Sequence, residues 1–492
     1  MRLPDGFTVR VRDDVRLVPT ADGGLSLVGG SPLRSMRLAS TVADRVAGRQ
    51  VRVHDATSDV IARRLLDGNL ADPADLTPAD RAELTVVVPA HDRPELLDRC
   101  LAALSGPCVL RVIVVDDASR DPEAVAEVVR RHGATLLALT DNVGPAGARN
   151  AGLARVATTY VAFVDSDVAA APEMLAQLAG HLADPRVALV GPLVRGHSDK
   201  ARPAWFERHD MAASSLSLGT RACSVRPGAA VGWLPSACLV ARTSTLREVD
   251  GFAGDLRVGE DVDLVWRLVE AGHVVRYAPD LEALHEVRGT IRGWLGRKLV
   301  YGTGGAELGR RHGSAVAPAV LSPAMAAAGA AILAGRWWSA PAALASLAWG
   351  GRVVSEALPD VPGRRGLAAR LAVRGLGWSL RQESALLLRH WWPLTLVACL
   401  FSRTVRRMVL AALVVDTAVA FHETDVRPTT LIGRRLDDLA YGAGLWLGAA
   451  RSRSAQCLTP RLVRRPSQRP SSRSQSSPRP ANLDGVGTPM GT

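Results

Sequence analysis

The sequence predicts an α/β core with a small N-terminal α+β unit before it and an apolar helical region after it. Three observations carry this expectation. From residue 84 to 165, short uninterrupted apolar runs alternate with segments of helical period, the signature of a parallel sheet covered on both faces. Residues 1–75 alternate weakly, then turn helical, and lead into a Pro/Asp-rich stretch. Beyond residue 312, charges thin out and Ala/Leu-rich segments take over.

In the core, TVVVPA (85–90), RVIVVDD (111–117), ATLLAL (134–139) and YVAFVD (160–165) read as buried strands. Helices are expected between them over 94–104, 122–132 and 146–156. A second cluster, 186 to 285, mixes strands and helices, with a helix over 261–271. In the first unit, 7–17 and 25–28 form a hairpin signal across Asp22-Gly23-Gly24, helices follow over 34–47 and 58–66, and 72–80 reads as a linker. The organisation predicted is therefore 1–75, 84–312, 313–450 and a basic tail, 451–492.

Within 313–450, the uncharged run 315–335 is long enough to span a bilayer, which takes about 20 residues. A buried Ala-rich bundle is the competing reading. Trp337, Trp338, Trp391 and Trp392, set beside arginines, suit an interfacial belt. The tail is rich in Arg, Ser and Pro, cannot bury a core, and is expected to be disordered.

The net charge is +12 and nearly all of the cations are arginines, Lys200 and Lys298 being the only lysines. Such a chain is drawn to anionic phosphates and lipid surfaces. It carries no helix-turn-helix, zinc-finger or RNA-binding motif, so nucleic acid is not the expected partner. Cys100, Cys108, Cys223, Cys238, Cys399 and Cys457 form no C-x-x-C pair. Neither disulfides nor zinc are expected, and a reducing compartment is favoured. The N-terminus shows no apolar h-region, so no signal peptide is expected.

Four motifs carry chemistry. Asp165-Ser166-Asp167 follows a buried strand at its carboxyl end, where ligands of parallel sheets bind. Two carboxylates there can hold Mg²⁺ or Mn²⁺ against a diphosphate, whereas an ordinary Asp-x-Asp is a solvated turn. Asp116-Asp117 ends another strand and can accept from a base or a ribose, or else cap the next helix. In Asn142-Val-Gly-Pro-Ala-Gly-Ala-Arg-Asn150, Gly144 and Gly147 allow close backbone approach and Arg149 can pair with a phosphate. No complete dinucleotide or P-loop fingerprint exists, which counts against NAD and ATP. Gly259-Glu260-Asp261, with Asp263, opens an amphipathic helix. These acids suit a helix N-terminus on dipole grounds alone, but Asp261 can also serve as a general base beside Glu260. Trp233, Pro235 and Ser236 can floor an acceptor site, and His285 can join Asp165 and Asp167 around a metal.

With these blocks in order, residues 85–300 resemble the catalytic domain of inverting family-two glycosyltransferases of the GT-A fold. The resemblance runs through TVVVPAHDRPELLDRCLAAL, VIVVDDAS, DNVGPAGARNAGL, FVDSD and the GED helix. It implies a nucleotide-diphospho-sugar donor, usually of the uridine type, contacted by Pro89, Asp92, Asp117 and Arg149. It also implies a divalent metal at Asp167 and a base at Asp261. The Gln-x-x-Arg-Trp block of processive members is absent, and Arg288-Gly-Thr-Ile-Arg-Gly-Trp294 is a loose echo of it. The head, LVPTADGGLSLVGGSPLRSMRLAS, is similar to the start of the mycofactocin-system glycosyltransferases, whose N-terminal unit resembles small peptide-binding domains. That narrower resemblance implies glucose transfer, from a donor such as UDP-glucose, onto a peptide-derived redox cofactor precursor, with a short oligoglucoside as one outcome.

The expectation is thus a hexosyltransferase at the cell membrane with its catalytic domain in the cytoplasm. Its partners would be a nucleotide-sugar donor, a modified-peptide acceptor and a membrane surface. A lipid-linked or cell-envelope glycan acceptor is the alternative within the same class. A non-catalytic nucleotide-sugar-binding scaffold is the alternative outside it.

Overall fold

A computed structural model describes residues 1–30, 34–106, 110–358, 363–423 and 428–463. Its centre is a nine-stranded mixed sheet. Tyr160–Val164, Leu84–Ala90, Arg111–Asp116 and Thr135–Ala138 lie side by side and parallel, each joined to the next in sequence by a helix. Leu84–Ala90 and Tyr160–Val164, at the middle of this half, are buried on both faces, which is why they read as unbroken apolar runs. On the other side of Tyr160–Val164 the sheet turns mixed. Cys238–Arg242 pairs antiparallel with it and with Val187–His197, which runs parallel to the long Val274–Glu286 strand. Val168–Ala169 and Cys223–Val225 add antiparallel edges to that strand. The short antiparallel strands lack a distinct period, so sequence reading recovered the parallel half and left the rest as an unresolved mixture.

Helices cover both faces. Pro94–Leu104, Pro122–Arg131 and Pro172–Gly180 seal one core around Val86, Val88 and Leu175. Gly144–Arg155 and Glu260–Glu270 seal the other around Val87, Phe163 and Trp266. Gly152 is required here, because a Cβ would lie 2.3 Å from the Val87 side chain.

The N-terminal unit departs from expectation at two points. Residues 34–38 form a strand, Arg34–Leu38, with the helix confined to Ser40–Ala47; the strand is the third of an antiparallel sheet begun by the Arg16–Pro19 and Leu25–Gly29 hairpin. Part of the presumed linker is also a strand, Ala71–Ala74, paired with Thr8–Val11. The unit has its own apolar core yet is not detached. Arg12 donates to the Ala222 carbonyl, the Ser224 N–H donates to Asn69, Arg186 pairs with Asp67, and Val28 packs on Leu358 and Ala368.

The 315–335 run does not become one long helix. It divides into a 3₁₀ turn, a short strand (Val320–Leu321) and the 12-residue helix Pro323–Ala334. Pro323 starts that helix and Gly335, at φ 57°, ends it. Twelve residues rise about 18 Å, short of the roughly 30 Å hydrocarbon core. Among the described residues no single helix is long and apolar enough to cross a membrane. The helices Arg364–His390 and Trp392–Phe401 pass the same test only as a pair bent by 88°.

The boundary at 451 shifts, while the helix Ile291–His312 ends at 312. The strand Arg461–Leu462 pairs with Val320–Leu321, so order continues past 451, and residues 464–492 lie outside the described residues. Cys108 does too, while the five described cysteines are free. The Pro428–Ser452 helix lies backbone to backbone on Ile291–His312. A Cβ on Gly302 would meet the Tyr441 carbonyl at 2.2 Å, one on Gly444 the Leu299 carbonyl at 2.0 Å, and one on Gly448 the Thr303 carbonyl at 2.4 Å. The last helix is therefore part of the core's wall and not a separate region.

This crossing predicts opposite effects of one substitution on one helix. Gly302→Ala should destabilise by about 1–3 kcal/mol through overpacking. Gly296→Ala, where a Cβ meets nothing within 4 Å, should stabilise by up to about 1 kcal/mol through helix propensity. Calorimetric melting of the two variants checks the pair, and equal melting temperatures would count against the crossing.

Candidate active site

The site forms where Tyr160–Val164 ends. The Val168 N–H donates to the Asp165 carbonyl at 2.9 Å, so Asp165-Ser166-Asp167 closes into a tight turn at the carboxyl end of the central strand. The pairing of Val168 with His285, and the Glu286 N–H donating to the Asp167 carbonyl at 2.9 Å, bring the end of the long edge strand alongside. Opposite, Gly259 at φ 85° starts the Glu260–Glu270 helix. Asp165, Asp167, Glu260, Asp261 and His285 all line one cavity of about 770 Å³.

Arg149, reached from the Gly144–Arg155 helix and almost fully buried, ties the two sides together. It donates to Asp165 at 2.6 Å and to Glu260 at 2.9 Å. Burial works against its charge, but Asp165 and Glu260 outweigh that and raise its pKa above the usual guanidinium value. This corrects the expectation of a phosphate contact, since the guanidinium is committed to two carboxylates. Glu260 is likewise a partner of Arg149, the role in which it serves Asp261.

Asp261 forms no ion pair among the described residues. Its carboxylate accepts from the Val262 N–H at 2.8 Å and the Ser236 N–H at 3.2 Å. Burial in the cavity wall, then the charge of Glu260, push its pKa up to about 7, against the pull of those two N–H groups. A carboxylate poised there can take a proton near neutrality. Trp233, Pro235 and Ser236 line the same cavity.

Asp167 is held differently. Burial would raise its pKa, but His285, Arg288 and Arg297 outweigh it and keep the carboxyl below the ordinary range. Arg288 donates to Oδ2 at 3.0 Å, while Oδ1 faces His285 Nε2 at 3.7 Å. An ionised oxygen and an imidazole nitrogen, side by side at a cavity edge, are donors that suit Mn²⁺ or Mg²⁺ once a diphosphate adds its oxygens. His285 Nδ1 has no hydrogen-bond partner among the described residues. Asp165 does not complete a three-residue set, because it accepts from Arg149, and the described residues contain no cluster of three or more protein ligands.

Other predicted donor contacts lie outside the cavity lining. Both Asp117 oxygens accept backbone N–H groups, from Val143 at 2.7 Å and Gly144 at 2.9 Å. Asp116 accepts from the Ser119 N–H and hydroxyl. Neither caps the next helix, a task that Asp121 performs. Asp92 accepts from the Arg120 N–H at 2.9 Å. Pro89 lies on the Leu84–Ala90 strand. Gly147 serves packing, since a Cβ there would meet Val143 at 2.6 Å. None of these five lines the cavity, and each shapes the strand tips or helix starts around it.

The sequence reading missed the floor. Arg297, Tyr301, Gly304, Gly305 and Leu308 line the cavity along one stripe of the Ile291–His312 helix. That three-to-four spacing was visible, but it is polar and glycine-rich and carries no apolar moment. Arg257 joins from the loop before Gly259, and neither Arg257 nor Arg297 is paired with a carboxylate among the described residues. Both are therefore available to an anion.

The description "Glycosyl transferase family 2" matches residues 85–231, and "Glycosyl transferase family group 2" matches 160–422. The chain is 39% identical over 485 residues to the pre-mycofactocin glycosyltransferase of two Mycobacterium tuberculosis strains, covering 94% of this chain and 99% of that protein. The chain belongs to glycosyltransferase family 2. Its similarity to the N-acetylglucosaminyltransferase of Rhizobium meliloti is 29% over 258 residues, covering 49% of this chain and 59% of that one. Among solved structures, a mannosyltransferase from Pyrobaculum calidifontis in complex with GDP-Man and Mn²⁺ aligns with a TM-score of 0.41 at 18% identity, covering 79% of this chain and 93% of that one. As a family 2 glycosyltransferase, the protein brings the turn after its central strand and the GED helix to one cavity.

The position of Asp261 makes activity depend on pH in one direction. A base must be ionised, so kcat/KM should climb as pH rises through about 7 and level off above it. Asp261→Asn should lower kcat by about 10²- to 10⁴-fold on the plateau above pH 7, lose the rising limb, and leave nucleotide-sugar affinity in place. A full pH–rate profile in which the variant keeps the wild-type limb would remove Asp261 from the role.

Proposed function

We propose that this family 2 glycosyltransferase moves a hexose, with inversion, from a nucleotide-diphospho-sugar of the UDP-glucose type onto a hydroxyl of pre-mycofactocin. The acceptor rests on near-full-length similarity to the pre-mycofactocin glycosyltransferase. The observation that carries the chemistry is a single cavity holding Asp167 at one edge and Asp261 at another, the two sides linked by Arg149. Asp261 takes the proton of the acceptor hydroxyl, which attacks the anomeric carbon on the face opposite the leaving diphosphate. Arg257 and Arg297 supply cations for that diphosphate. Asp167 and His285 would hold a divalent ion, and when bound it would neutralise charge on the departing group.

The N-terminal unit supports a peptide-bearing acceptor. Its Arg34–Leu38 strand pairs on one side only among the described residues, leaving an edge to which an extended peptide can add. Membrane association is supported by the helix Trp392–Phe401. Leu394, Leu396, Val397, Leu400 and Phe401 are exposed on it, and Arg403, Arg406 and Arg407 follow directly. An exposed apolar face beside cations suits an anionic bilayer surface, on which this helix would lie with the cavity on the cytoplasmic side.

Mass spectrometry of pre-mycofactocin incubated with the enzyme, UDP-glucose and Mn²⁺ tests the reaction. Added hexose masses are expected, with none after EDTA treatment, and hydrogen exchange should slow at 34–38 when the acceptor is added. An unchanged acceptor mass with every nucleotide sugar tried would end the proposal.

For the membrane, co-sedimentation with vesicles containing anionic lipid should bring down the wild type. Leu396→Asp/Phe401→Asp should shift it to the supernatant. Retention of the variant would locate the contact elsewhere.

A further inference from the structure

The reaction above leaves one large side chain of the cavity floor without a role. Tyr301, partly buried on the Ile291–His312 helix, lines the cavity with Arg297 one turn before it and Gly304 and Gly305 one turn after. A spacing of three or four residues puts these positions in one row. Close packing keeps the two glycines bare. A Cβ on Gly304 would meet the Val258 carbonyl at 2.9 Å, and one on Gly305 the Leu445 side chain at 2.9 Å. Over 301–305, Tyr301 is therefore the one cavity-lining residue with a side chain among the described residues.

Its surroundings place it between the two halves of the chemistry. The Arg297 guanidinium lies 5.6 Å from the ring centroid, a cation–π contact that restrains the ring. Burial pushes the phenol's pKa up, with Asp261 and Asp165 and against Arg297 and Arg288. The hydroxyl therefore stays protonated near neutrality and can donate. Those charges belong to both sides of the site: Asp261 is the base, and Arg288 donates to Asp167 at 3.0 Å. No group among the described residues hydrogen-bonds to the Tyr301 hydroxyl. Tyrosine offers a flat apolar ring and a polar tip. A pyranose has the matching pair of surfaces, an apolar C–H face and a rim of hydroxyls. An inverting displacement also needs the hexose between the base and the departing diphosphate. With the diphosphate beside Asp167, the hexose spans from there toward Asp261, across the part of the floor that carries Tyr301.

We propose that Tyr301 selects the transferred hexose, its ring flooring the pyranose and its hydroxyl donating to one sugar hydroxyl. The inference rests on the nucleotide-diphospho-sugar reading above and deepens it, by giving the hexose a specificity residue outside the strand-end motifs.

Calorimetry with Mn²⁺ and without acceptor tests this. The probes are UDP, UDP-glucose and the four UDP-glucose analogues that lack the 2-, 3-, 4- or 6-hydroxyl. Tyr301→Phe keeps the ring and should bind UDP as the wild type does. It should bind UDP-glucose about three- to tenfold more weakly, the worth of one neutral hydrogen bond. One deoxy analogue should lose about the same factor in the wild type and nothing further in Tyr301→Phe, a non-additivity that marks direct contact. Should Tyr301→Phe melt early, Tyr301→Met carries the same comparison. Equal weakening of UDP and UDP-glucose, wild-type affinity for UDP-glucose in the variant, or additive losses with all four analogues would overturn the assignment. A wild-type enzyme that binds no UDP-glucose would instead overturn the donor reading itself, and the assignment with it.

Discussion

The ion pairs made by Arg149 are the constraint on which the rest of the site depends. One guanidinium, buried among carboxylates from two elements far apart in sequence, joins the Asp165 turn to the start of the Glu260 helix. Burial makes this arrangement costly to break, since removing one partner of a buried pair strands the other charge, at about 3–5 kcal/mol. The bridge also sorts the acids. Asp165 and Glu260 share Arg149, Asp167 is kept ionised by His285 and Arg288, and Asp261 has backbone N–H groups as its nearest partners. Three environments give otherwise similar carboxylates three roles, and Asp261 is the one whose affinity for a proton rises.

How much of this was legible in the sequence depended on the type of signal. Parallel strands buried on both faces leave continuous apolar runs, so Leu84–Ala90, Arg111–Asp116 and Tyr160–Val164 were readable to within a residue or so. The turn at 165–167 and the helix at 260 were equally plain, because acids at a strand end and a helix start stand out against apolar neighbours. What could not be read was which acid meets which cation. Arg149 was assigned to a phosphate because an arginine on a glycine-rich helix start fits that role locally, and its true partners lie 16 and 111 residues away. Asp117 was assigned to a nucleotide for the same reason, while its oxygens hold the Val143 and Gly144 N–H groups.

The C-terminal third misled for a different cause. Composition marks 315–335 as apolar, but composition does not register Pro323 and Gly335, which set the length of the helix between them. Nor does hydropathy reveal that Gly302, Gly444 and Gly448 let two helices touch at the backbone. A glycine in a helix costs about 1 kcal/mol against alanine, so three at one crossing imply a close approach that offsets the cost. The apolar content of this region is divided between burial, as for Ala328 and Leu333, and exposure, as for Leu400 and Phe401. The same segment thus closes the cavity with one face and presents a greasy helix with another.

Charge placement draws these parts together. A net charge of +12 alone says that the protein is attracted to anions, without saying where. In the structure, most cavity-wall cations past the base are spent on Asp416, Asp437 and Asp438. Arg257 and Arg297, the latter acting on Asp167, have no such partners among the described residues. The uncompensated charge therefore sits with Arg257 and Arg297, and fades toward the wall past Asp261. Moving that field would harm the reaction more than changing the total charge, because transition-state stabilisation depends on where fixed charges point.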